Sequence, residues 1–122
     1  MDQQIFGVKY VGFIQEMHGE TIVVIVNLQR ATLNDANELK KTLFQEIESG
    51  RKKIIVDLSE CEFIDSTYLG ALVISLKKIT ELRGDLRLVV FQPAVINMFQ
   101  LTRMNQIFEF FETKEEAINS FI

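Results

Sequence analysis

The stretch that decides the fold is Ile54-Ile55-Val56-Asp57-Leu58-Ser59-Glu60-Cys61-Glu62-Phe63-Ile64-Asp65-Ser66-Thr67-Tyr68-Leu69-Gly70. Its apolar opening, Ile54 to Val56, reads as a buried strand that ends at Asp57. A short polar link follows, and Asp65 then stands directly before Ser66 at the start of a helical pattern. From Thr67 onward, Leu69, Leu72, Val73, Leu76, Ile79 and Leu82 recur at helical spacing as far as the turn Arg83-Gly84-Asp85. A hydroxyl at a helix start lies where backbone N–H groups and the helix dipole favour negative charge. A phosphate on Ser66 would be tolerated by the fold and visible to a partner, so the segment reads as a switch rather than as catalytic machinery. The plain alternative makes Ser66 or Asp65 only the N-cap, worth about 1 kcal/mol to the helix. The two roles can coexist.

Upstream, residues 5–11 alternate loosely and suggest a strand; 13–17 and 21–28 suggest a hairpin around His18-Gly19. The second arm is almost wholly apolar, as a central strand covered on both faces should be. Thr32 with Asp35 resembles a capping box, and Leu33, Ala36, Leu39, Leu43 and Ile47, widened by Phe44, mark an amphipathic helix stopped at Gly50. Residues 53–58 form the next strand. Downstream come a strand over 86–91, a helix begun by Pro93, and a short strand within 107–111. Thr113 and Glu116 form a capping box for a last helix that buries Ala117, Ile118 and Phe121. Strands and helices alternate after residue 30, so the expected class is α/β with a mixed sheet, in one domain spanning residues 1–122. The Met98, Phe99, Leu101 and Met104 group reads as core, with part of it free to widen an interface.

The bulk properties exclude several function classes. Of the 122 residues, 48% are hydrophobic and 25% charged, an ordinary globular balance. A net charge of −4 with scattered basic residues argues against a sequence-independent grip on nucleic acid. No apolar run approaches the roughly 18 residues of a membrane span. The opening Met1-Asp2-Gln3-Gln4 lacks the flanks of a secretion signal, which makes the cytoplasm the expected location. Cys61 is the single Cys and His18 the single His, so neither a disulfide nor a metal site is expected, and no cofactor is signalled. A triad of Ser66, Asp65 and His18 lacks a nucleophile elbow and an oxyanion loop, and no catalysis is expected. Asp65 could orient the Ser66 hydroxyl or help hold a metal bound to a kinase's nucleotide; Asp57 would only satisfy loop N–H groups.

The order of strand, Asp57-Leu58-Ser59, short link, Phe63-Ile64-Asp65-Ser66 and Leu69-Gly70 opening a helix resembles the STAS domain, the fold of the bacterial anti-sigma-factor antagonists. The likeness runs over nearly the whole chain, through the Gly84 turn, the Pro93 helix and the acidic closing helix. It implies a mixed sheet packed against about four helices. It further implies a phosphorylation-controlled protein-binding switch in transcription regulation, with Ser66 as acceptor and Asp65 as its neighbour. Thr67, Tyr68 and Leu69 would form the contact edge for an anti-sigma factor that is a serine protein kinase. Two positions depart from the family. Tyr68 stands where Gly is usual, as a new partner contact or an obstacle to a kinase. Thr32 stands where an Asp usually helps engage partner and nucleotide. These departures favour a rival reading, a constitutive structural subunit of a transport or signalling assembly that is never phosphorylated.

Overall fold

The computed structural model describes residues 12–122; the strand expected over 5–11 lies outside the described residues. The order is β1 (Phe13–His18), β2 (Thr21–Val26), β3 (Arg30–Ala31), α1 (Leu33–Glu48), β4 (Lys53–Asp57), β5 (Phe63–Ile64), α2 (Ser66–Glu81), β6 (Asp85–Val89), α3 (Pro93–Leu101), β7 (Phe110–Phe111) and α4 (Lys114–Asn119). A short 3-10 turn, Met104–Gln106, links α3 to β7. The main sheet runs β1-β2-β4-β6-β7, antiparallel only between β1 and β2, and β3 pairs with β5 in a separate parallel ribbon. The expected mixed α/β sheet with four helices is therefore present among the described residues.

Alternation along the strands sorts the core into two layers. Ile22, Val24, Ile54, Val56, Leu86 and Leu88 face α1, α2 and α3. Val23, Ile55 and Val89 face the other way, onto Ala117 of α4, with Ile118 and Phe121 packed beside it. Two polar ties fix α4 to the sheet: Lys114 Nζ to Glu16 Oε1 at 3.1 Å, and Arg87 Nη1 to the Ser120 carbonyl at 2.7 Å. The Arg87 guanidinium also lies 4.0 Å from the Phe121 ring centroid. On the other layer Phe99 meets Phe110 edge-on at 5.0 Å, a favoured aromatic arrangement.

The helix ends follow local chemistry, with two differences from the sequence reading. Leu33 is 62% exposed rather than core, because at the first position of α1 it borders the cleft toward α2, beside Asn37 and Lys40, instead of packing with the buried Leu39 and Leu43. Leu82 is exposed at the end of α2. Within the expected Arg83-Gly84-Asp85 turn, the left-handed residue is Arg83 (φ 67°). Gly84 is needed for space: a Cβ there would lie 2.7 Å from the Lys52 carbonyl oxygen, where the Asp85 N–H docks at 2.9 Å. In the Met98–Met104 region Phe99 is buried, Met98 and Met104 lean on the core, and Leu101 projects into solvent. Among the described residues no helix is long and apolar enough to cross a membrane.

Candidate functional site

The site is built by the β3–β5 ribbon, which places two helix starts side by side. The Gln29 carbonyl accepts the N–H groups of Glu62 (2.8 Å) and Phe63 (3.2 Å), and the Ala31 carbonyl accepts Asp65 N–H at 3.1 Å. Ala31 pairs with Ile64, so Thr32 and Asp65, the caps of α1 and α2, fall at the same level. Arg30 stacks its guanidinium 4.2 Å from the Phe63 ring centroid and covers the ribbon's outer side. The preceding loop is tied down in turn. Asp57 accepts the Ser59 N–H at 2.9 Å, as a strand-end Asp does, and Leu58 N–H donates to the Val89 carbonyl at 2.8 Å.

Asp65 caps both helices. Oδ1 accepts Tyr68 N–H of its own helix at 2.9 Å, and Oδ2 accepts Leu33 N–H of α1 at 2.8 Å. Thr32 N–H is taken by Asp35 Oδ2 at 3.1 Å, the return arm of the capping box, which the short Asp reaches despite lacking the extra methylene of Glu. Ser66 is consequently the first residue inside α2, not its cap, and the sequence alternative resolves in favour of Asp65 as cap. Ser66 and Thr67 are exposed, in the first turn where N–H groups have no intrahelical acceptor.

The expected contact edge is corrected at two positions. Tyr68 is 0% exposed and Leu69 is buried; both point into the core on the sheet side of α2. The Tyr68 ring is neither a partner contact nor an obstacle at the surface. Ser66 and Thr67 remain outward, and the half-buried Thr32 joins them through the Asp65–Leu33 hydrogen bond. The residues that the sequence reading missed are Leu33 and Ile74, which is 47% exposed. Their signal was positional: Thr67, Gly70, Ile74 and Lys78 follow at three- and four-residue steps along the outer flank of α2. Thr67, Gly70 and Ile74, with Leu33, Ala36, Asn37 and Lys40 of α1, border a groove of about 330 Å³.

Cys61 and His18 take no part in this surface. Cys61 is buried, its Sγ donates to the Phe63 carbonyl at 3.2 Å, and burial pushes its thiol pKa up, away from a reactive thiolate. His18 Nε2 lies 3.0 Å from Glu16 Oε1 at the end of β1. Hydrogen bonds from His18 and then Lys114 hold the Glu16 carboxyl below its usual range. No cluster of three His, Cys, Asp or Glu suited to a metal occurs among the described residues.

A family model described as the STAS domain matches residues 16–117. The chain is 30% identical, over 81% of its length and 88% of the other's, to a Thermotoga neapolitana protein named as an anti-sigma factor antagonist. A crystal structure of a Thermotoga maritima protein with the same kind of name superimposes with a TM-score of 0.78 at 31% identity, covering 88% of this chain and 92% of that one. The phosphorylated form of the Bacillus cell-fate determinant SpoIIAA shares the fold, with a TM-score of 0.72 at 21% identity over 90% of this chain and 99% of its own.

Proposed function

The chain belongs to the STAS domain family of anti-sigma-factor antagonists, and on that premise we propose that it is a binding switch set by phosphorylation of Ser66. Unphosphorylated, the surface of Ser66, Thr67, Thr32 and Leu33 occupies an anti-sigma factor that is also a serine kinase, and so frees a sigma factor. The observation that carries this reading is the placement of Ser66: an exposed hydroxyl at the first position of a helix whose start is fixed by Asp65 from both sides. A phosphate there adds about −1.5 to −2 charge at pH 7. The α2 N-terminus offsets that charge within the fold, whereas a docked partner meets it as repulsion and desolvation cost. The switch acts by binding, on a surface already formed in the unmodified protein, and needs no unfolding.

Burial of Tyr68 supports the same reading, because it removes the bulky ring from the surface a kinase would grip. The constitutive-subunit alternative keeps one observation, Thr32 in place of a carboxylate at the edge of the site. The two separate in a binding assay. Ser66→Ala should hold the anti-sigma factor constitutively and Ser66→Asp should release it; equal binding by both supports the constitutive subunit.

A further inference from the structure

We propose that the groove between α1 and α2 seats an acidic, amphipathic helix of the anti-sigma partner, an inference that rests on the function proposed above and names the chemistry of the contact. The groove opens at Thr67, next to Ser66, and follows α1 from Leu33 to Lys40, about 10 Å at 1.5 Å per residue, which is roughly two turns of a docked helix.

Its floor is made of small residues, Ala36, Gly70 and Ala71. Gly70 serves no internal packing need: a Cβ added there would meet nothing within 4 Å, and its backbone is not in the left-handed region. A glycine inside a helix is destabilising relative to alanine, because it loses more backbone freedom on folding. Here that cost leaves the floor open for close approach from outside. The walls are Leu33 and Ile74, two large apolar side chains exposed at facing positions, suited to gripping one apolar side chain between them.

The charge beyond them is positive on a protein of net charge −4. Lys40 lines the groove's inner end, and the Phe44 ring beyond it gathers two ammonium groups, with Lys40 Nζ 5.8 Å and Lys78 Nζ 4.9 Å from its centroid. Lys78 has Glu48 at 3.5 Å, while among the described residues no carboxylate lies within salt-bridge distance of Lys40. Carboxylates on the docked helix complement this pair, and an apolar side chain one turn away fills the space between Leu33 and Ile74. The same geometry gives the Ser66 phosphate its effect: at the groove's mouth it faces an acidic segment, and like charges oppose docking.

The test replaces Asn37, within the groove, and separately Thr67, at its mouth, with the photo-crosslinking residue p-benzoylphenylalanine in the full chain, expressed in its own organism. Adducts are mapped to the peptide. The crosslinked protein is then purified and its affinity measured against the wild-type chain, Lys40→Glu/Lys78→Glu and Gly70→Leu. The expected result is an adduct from Asn37 on an acidic helical segment of the protein that Thr67 also captures. Affinity should fall about tenfold or more with the charge reversal. Gly70→Leu, whose Cβ meets no atom of its own fold and whose side chain fills the floor, should weaken binding with unchanged circular dichroism. An adduct from Thr67 alone overturns the groove while leaving the Ser66 switch intact. A neutral or basic peptide, or a second copy of this chain, at Asn37 overturns it as well, as does unchanged affinity of both variants. No adduct at either position in any growth phase overturns both readings.

Discussion

Leu33 N–H donates to Asp65 Oδ2 at 2.8 Å, across two helices that approach each other at their N-termini. The other oxygen of the same carboxylate holds Tyr68 N–H at 2.9 Å, so one side chain fixes the starts of α1 and α2 together. That tie explains how Ser66, on one helix, and Thr32 and Leu33, on the other, become one surface. It also assigns Asp65 a positioning role, with both oxygens already engaged in the unliganded protein.

Replacing Asp65 with Ala should cost about 1–2 kcal/mol in urea unfolding, the upper part of the range for lost caps, because two helices lose an acceptor. Asp65→Asn keeps one acceptor oxygen and should recover part of this. Hydrogen exchange reads the bridge directly: the Leu33 and Tyr68 amides should lose protection in Asp65→Ala. Unchanged protection at Leu33 contradicts the bridge.

Tyr68→Ala should destabilise by about 3–5 kcal/mol, the usual range for truncating a large aromatic residue in a core. A residue serving only as a partner contact would leave the denaturation midpoint in place. The same urea titration distinguishes the two.

Ser66→Asp should leave the fold intact and raise stability slightly, by about 0.3–1 kcal/mol at low salt, since negative charge is favoured in the first turn. Its loss of partner binding is then a surface effect. A large drop in melting temperature would instead mean that charge at this position acts through the fold.

The buried thiol of Cys61 gives a pH dependence with a definite sign. Its folded pKa is raised by desolvation, so the thiol ionises more readily in the unfolded chain, whose ordinary value is 9.0. Its contribution to stability is complete below that pH and declines as pH rises from there toward the folded pKa. Cys61→Ala should therefore lose less stability than the wild type between neutral pH and the alkaline side of 9.0, measured as the difference in unfolding free energy. Parallel curves for the two proteins would contradict the burial argument.

Much of this architecture was legible in the residues themselves. The unbroken apolar arm of β2, the helical stripe of α1 from Ala36 to Ile47, and Pro93 at the start of α3 each state their element through periodicity or backbone chemistry. Asp65-Ser66 was legible as a helix start for the same reason. The failures lie where local pattern does not determine direction. Leu33 fits the apolar spacing of α1, but its first-turn position turns it toward α2 rather than toward the sheet. Tyr68 lies close to Ser66 in sequence, yet two positions along a helix lie about 200° apart around the axis, which sends the ring inward while Ser66 faces solvent. The hydrogen bond from Leu33 to Asp65 joins residues in separate segments, and only the parallel pairing of β3 with β5 brings them together.

The most direct test of the switch is the intact mass of the protein recovered from its own cells under several growth conditions, with fragmentation to place any added group. The predicted result is a population carrying one phosphate on Ser66, whose share changes with growth condition. A uniformly unmodified protein under every condition, or a phosphate confined to another residue, would contradict a switch at Ser66.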